Sequence, residues 1–210
     1  MFIYLVRHGE TDWNRERRIQ GSSDIPLNET GRAQAAATGD LLTRRQWHGV
    51  FASPLSRAME TSQIIAAKIG AETPIALPAL VERNYGDAEG RTDNEVDRLY
   101  PGDADVPGRE TRQSVIDRAL PALIQLAERN HGKSVIVVVH GGVIASILAA
   151  VAPDRPRTPI VNGSIHSFRH DGGTLSLVNF DDPIEAESET TGTESFAEQN
   201  AIARRESSTQ

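Results

Sequence analysis

Ser134-Val135-Ile136-Val137-Val138-Val139-His140-Gly141-Gly142 is the stretch that decides the fold. Five β-branched residues follow Ser134 without a break. A strand with one wet face alternates apolar and polar residues. One that is apolar at every position is covered on both faces, as at the centre of a parallel or mixed sheet. Upstream, Ser114–Asn130 reads as an amphipathic helix carrying Val115, Ala119, Leu123, Leu126 and Ala127, with Pro121 inside it as a potential kink. Downstream, Val143–Val151 is an apolar helix, and Ser164–Arg169 and Thr174–Asn179 form a hairpin around Asp171-Gly172-Gly173.

The N-terminal half repeats the alternation. Phe2–Val6 is a buried strand, and Asn28-Glu29-Thr30-Gly31 leads into a helix over Arg32–Arg45. Gly49–Ala52 is a short strand, Ser53-Pro54-Leu55-Ser56 opens a helix through Lys68, and Ile75–Leu77 is a brief strand. Residues 83–112 are rich in Gly, Pro and charge, with one helical piece near Asp93–Tyr100. The expected fold is a single three-layer α/β/α sandwich with a mostly parallel central sheet.

The 210 residues suit one domain, and there is no cysteine for a disulfide, a thiolate site or a thiol nucleophile. Residues 181–210 hold eight acids against Arg204 and Arg205, a net −6 of the chain's −7. The domain expected over 1–180 is therefore near −1, and 181–210 reads as a disordered acidic tail. No basic stripe suggests nucleic acid, and no run approaches the ~18 apolar residues of a membrane span. Arg7 and His8 interrupt the apolar N-terminus too soon for a secretion signal, so the expected location is the cytoplasm. Oligomeric state is open, a homodimer included.

Two strand ends share one pattern, Val6-Arg7-His8-Gly9 and Val139-His140-Gly141-Gly142. Ligands of open α/β sheets bind beyond the carboxyl ends of strands, and glycine lets backbone N–H groups approach an anion. Arg7 can fork onto phosphate oxygens, and Arg57 falls in the first turns of a helix over the same edge. Glu82, in Leu80-Val81-Glu82-Arg83-Asn84-Tyr85-Gly86, adds one acid in a stretch with turn character. Together these suit phosphoryl transfer through an imidazole nucleophile, with two arginines and a second histidine steadying the charge. Glu82 would protonate the leaving oxygen and later take a proton from water, with neither metal nor cofactor required. Taken singly, each piece has a plainer reading. Arg17 and Arg18 read as a solvated pair near the entrance, His166 as a structural histidine within a strand, and His48, His131 and His170 as loop residues without a role.

The combination resembles the histidine phosphatase superfamily, the phosphoglycerate-mutase-like proteins. The resemblance runs through Leu5-Val6-Arg7-His8-Gly9-Glu10-Thr11, Trp13-Asn14, Gln20-Gly21, and Pro26-Leu27-Asn28-Glu29-Thr30-Gly31-Arg32-Ala33-Gln34-Ala35. It continues through Ser53-Pro54-Leu55-Ser56-Arg57-Ala58, Thr61, Leu80-Val81-Glu82, Gly86, Glu89-Gly90, His140-Gly141-Gly142 and Asn162-Gly163-Ser164-Ile165. It implies that His8 is the phosphorylated nucleophile, Arg7, Arg57 and His140 the phosphate pocket, and Glu82 the acid/base. Asn14, Gln20, Gly21 and the Gly141 backbone are implied as phosphate contacts.

Phosphatases and mutases of this kind share the first half-reaction and differ in what accepts the phosphoryl group. The mutases resemble this chain at Glu82–Gly86 but carry a longer, more basic insertion after it. Here the span between Glu82 and Ser114 is short, with Asp87, Glu89, Asp93, Glu95, Asp97, Asp103, Asp105 and Glu110 against five arginines. Gln20-Gly21 and Pro107-Gly108-Arg109-Glu110-Thr111 resemble the phosphatase branch, with Arg109 a departure that would add a substrate contact. The expectation is a metal-independent phosphatase acting on a small phosphorylated metabolite. The alternatives are a cofactor-dependent phosphoglycerate mutase and a non-catalytic phosphate-binding protein.

Overall fold

The computed structural model describes residues 1–102 and 104–184. A six-stranded sheet runs in the order β3-β2-β4-β1-β5-β6. Its strands are β1 Phe2–Arg7, β2 Val50–Ala52, β3 Ile75–Ala76, β4 Ser134–Val139, β5 Ile165–Asp171 and β6 Thr174–Asn179. The first four are parallel, and β5 and β6 add an antiparallel edge.

Strand β4 lies between β1 and β2, which accounts for its unbroken apolar run. Val135, Val137 and Val139 pack with Ile3 and Leu5 against α5 (Arg112–Arg129) and α6 (Gly141–Val151). Ile136 and Val138 pack with Tyr4 and Val6 on the other face, under α2 (Glu29–Leu42) and α3 (Ser56–Ile69). The result is a three-layer α/β/α sandwich. Two short helices, α1 (Asp12–Arg15) and α4 (Asp93–Leu99), lie in the loops over the carboxyl edge.

The buried residues of α5 are the five that its periodicity marks, and the helix runs through Pro121 uninterrupted. Pro121 faces solvent, where water can satisfy the carbonyl that loses its partner. Helix α2 begins at Glu29, earlier than its apolar spacing suggests, because the Asn28 side chain accepts from the Gly31 N–H at 2.8 Å. Helix α6 begins at Gly141 rather than Val143, which puts its free N–H groups at the sheet edge.

The packed chain also passes the expected boundary at 180. The Asp182 N–H donates to the Ile165 carbonyl at 2.7 Å, and Ile184 is fully buried beside Tyr4 and Ile165. Composition changes at Asp181, but a core contact is still made three residues later. The rest of the acidic tail, and Asp103, lie outside the described residues. Among the described residues no helix is long and apolar enough to cross a membrane.

Candidate active site

Parallel pairing of β1 with β4 sets Arg7 opposite Val139, so the next residues, His8 and His140, emerge side by side. Their ring centroids are 5.2 Å apart. The His8 N–H donates to the Val139 carbonyl (3.0 Å), and the His8 carbonyl accepts from Asn162 Nδ2 (2.9 Å). Gly9 N–H donates to Thr61 Oγ1 on α3 at 3.1 Å. The loop also depends on close backbone approach: a Cβ on Gly9 would sit 2.2 Å from the Gly31 carbonyl oxygen at the start of α2.

The orientation of His8 is chemically specific. Its Nδ1 lies 2.6 Å from the Gly9 carbonyl oxygen, which can only accept. The proton is therefore on Nδ1, and Nε2 carries the lone pair. Burial, together with the charges of Arg57 and Arg7, pushes the imidazole well below its ordinary pKa, so it is neutral at physiological pH.

His8 opens into a cavity of about 550 Å³ whose wall includes Arg7, Asn14, Gln20, Gly21, Arg57, Glu82 and Gly141. Arg57 is buried, its Nη1 donating to the Ser23 carbonyl (2.8 Å) and Nη2 to that of Gly21 (2.7 Å). Arg7 Nη1 donates to the Ile160 carbonyl at 2.5 Å. Among the described residues the Nε of each arginine is buried without a partner, as is His140 Nδ1. Buried donors without partners are costly unless an acceptor completes them, and an anion beside His8 would do so.

His140 stands behind the cavity wall, fully buried, with Nε2 2.7 Å from Ser53 Oγ. Asn14 Oδ1 accepts from the Thr11 N–H and from Asn162, and its Nδ2 has no partner among the described residues. Gln20 Oε1 is buried without a partner, and a half-turn of the amide exchanges it for the Nε2 donor that an anion needs.

Glu82 is a buried acid on the cavity wall. Its carboxylate accepts from Arg83 N–H (2.7 Å) and Gly142 N–H (2.9 Å). Burial nevertheless raises its pKa, against the lowering pull of those N–H groups and of Arg57 and Arg7. Gly142 leaves this carboxylate room, since a Cβ there would lie 2.5 Å from Glu82 Oε1 and 3.0 Å from the Tyr85 hydroxyl. Gly142→Ala should therefore cut kcat about ten- to a hundredfold by displacing the acid, with little change in thermal stability; steady-state kinetics beside a melting curve check both.

A profile of the histidine phosphatase superfamily (branch 1) matches residues 3–183. The chain belongs to the histidine phosphatase superfamily. Among relatives, phosphoglycerate mutase-like protein 4 of Arabidopsis thaliana is 39% identical over 180 residues, covering 80% of this chain and 78% of that one. The uncharacterized phosphatase PhoE of Bacillus subtilis is 38% identical over 170 residues, covering 79% and 86%. Among solved structures, mycobacterial glucosyl-3-phosphoglycerate phosphatase in complex with VO3 superposes with a TM-score of 0.78 at 27% identity, covering 86% and 98%.

This superfamily member also uses residues to which its sequence gave no role. Ser53, Thr61 and Asn162 anchor His140 and the His8 loop. Thr61 lies one turn after Arg57 on α3, a spacing that places them on one face. Ser53 follows the end of β2 as the two histidines follow β1 and β4. Arg18 lines the cavity and donates to the Gly90 carbonyl at 2.7 Å, so it is more than a solvated charge. Arg109 instead sits 3.7 Å from Asp105 over a neighbouring recess and is not on the cavity wall. His166 is a buried structural histidine, bonded to Ser164 Oγ and the Asp181 N–H, and burial lowers its pKa to about 4.

Two acids of the cap, the span between Glu82 and Ser114, hold the loops in place. Glu89 accepts from the N–H and hydroxyl groups of Ser22 and Ser23 and from Tyr85 N–H, tying the Gln20-Gly21 loop to the cap. Glu110 pairs with Arg118 at 2.8 Å, and Arg118 also donates to the carbonyls of Ala79, Val81 and Glu82. Arg118→Ala strands these acceptors. It should cost about 2 kcal/mol, read as a fall of about 4–8 °C in Tm.

Proposed function

We propose that this protein is a phosphomonoesterase that hydrolyses a small phosphorylated metabolite through a phosphohistidine on His8. The observation that carries the reading is the hydrogen bond from His8 Nδ1 to the Gly9 carbonyl, which leaves the Nε2 lone pair facing a pocket of unpartnered guanidinium N–H groups.

In the first step Nε2 attacks phosphorus, the bond to the ester oxygen breaks, and protonated Glu82 gives that oxygen its proton. Arg7 and Arg57 hold the charge spread over the three transferring oxygens. In the second step ionised Glu82 takes a proton from water as the water attacks phosphorus. The P–N bond breaks, and inorganic phosphate leaves a neutral His8. No step calls for a metal ion.

Release of phosphate from p-nitrophenyl phosphate in EDTA tests the reading. Turnover that disappears in His8→Ala supports it, and no turnover in the intact protein overturns it.

A second reading, transfer of the phosphoryl group to another metabolite, draws on the mutase-like relative and on Glu82-Arg83-Asn84-Tyr85-Gly86. Water is favoured as acceptor because the segment after Gly86 lacks the longer, more basic insertion that the mutases carry, and the reaction cavity itself is lined by Asp93 as well as Arg18. Conversion of 3-phosphoglycerate to 2-phosphoglycerate far faster than its hydrolysis, with the bisphosphate present, would reverse that choice.

A further inference from the structure

Beside the reaction cavity lies a second hollow of about 230 Å³, and the two share Ala145, Thr158 and Ile160 in their walls. Helix α6 runs from one to the other. Gly141 opens it at the reaction centre, and Ala145 and Ala149 follow one and two turns along, about 6 and 12 Å further at 1.5 Å per residue. With Leu148 they give the hollow an apolar floor.

The rim is cationic. Arg155 is engaged, its guanidinium 3.4 Å from the Phe180 ring centroid and bonded to the Pro156 carbonyl. Arg112 and Arg157 have no hydrogen-bond or ion-pair partner among the described residues. Two uncommitted cations over an apolar floor, continuous with a phosphate pocket, complement a molecule with an apolar body and a second negative end. A polyhydroxylated body would press its hydroxyls against Leu148 and Ala149 without partners, at a desolvation cost.

We propose that this hollow is the leaving-group subsite: it takes the apolar body of the phosphomonoester, and Arg112 and Arg157 hold an acidic group at its far end. The assignment rests on the phosphatase reading and adds the substrate class to it, an amphipathic ester with an acidic group at the end away from phosphorus.

Hexyl phosphate, its ω-carboxy counterpart and its ω-phosphate counterpart test it. The intact protein should show kcat/KM about tenfold or more higher for at least one charged ester than for hexyl phosphate, equivalent to about 1.4 kcal/mol. The better terminus identifies the acidic group. In the Arg112→Ala/Arg157→Ala protein that ratio should fall to about one. Equal values for all three esters in the intact protein, or a preference that survives the double substitution, would overturn the subsite. If no ester is hydrolysed, turnover of p-nitrophenyl phosphate decides the phosphatase reading separately, and the subsite is read by calorimetry. ω-Carboxyhexylphosphonate should then bind about tenfold more tightly than hexylphosphonate, and equal affinities would overturn the proposal.

Discussion

His8→Ala is expected to lower kcat/KM for p-nitrophenyl phosphate by about four to six orders of magnitude, the scale on which losing a nucleophile is felt. The fold should survive, because the main-chain bonds of residue 8 to Val139 and Asn162 do not involve the imidazole. His140→Ala is the informative companion. It removes a buried imidazole beside the reaction centre and the partner of Ser53, but leaves Nε2 of His8 in place. Its loss should be smaller by at least about a hundredfold. Equal losses in the two variants would mean that the histidines act as a pair, and the assignment of the nucleophile to His8 would fall.

Glu82→Gln is expected to have the second largest effect, and the effect should depend on the leaving group. For an alkyl phosphate, whose alkoxide cannot depart without a proton, the loss should be about 10²–10⁴-fold in kcat/KM. For p-nitrophenyl phosphate, whose phenolate leaves unassisted, formation of the phosphoenzyme should change little. The pH dependence carries the same assignment. The active form has neutral His8 and protonated Glu82. Activity should fall on the acid side as pH drops through the depressed His8 pKa, and on the alkaline side as pH rises through the raised Glu82 pKa. In Glu82→Gln the alkaline limb should vanish and the acid limb remain. An alkaline limb that persists in the alkyl phosphate profile would assign it to another group.

The chain announces its fold where local pattern and burial coincide. The unbroken run at Ser134–Val139 requires cover on both faces, and the five apolar positions of α5 are the five it buries. The sequence marks two His-Gly strand ends of one pattern, but their meeting depends on β4 inserting between β1 and β2. That is a long-range pairing with no signature in either segment. The small anchors were illegible for a related reason: Ser53, Thr61 and Asn162 act on partners 87, 52 and 154 positions away. Charge counting marked the cap as acidic without locating the charge. Glu89 and Glu110 are spent on the hydrogen bonds that hold the loops, and Asp93 lines the cavity. The tail boundary moved for a packing reason, since Ile184 is one apolar residue in an acidic run and it found the core.

The most direct test of the central claim uses Glu82→Gln with p-nitrophenyl phosphate, quenched in alkali during turnover and mapped by peptide mass spectrometry. The first step should proceed and the second should stall for want of a base. One phosphoryl group per chain should then accumulate on the peptide containing His8, stable in alkali and lost in acid as a P–N bond is. A phosphoryl group on any other residue, or steady release of p-nitrophenolate with no phosphorylated peptide, would contradict the account.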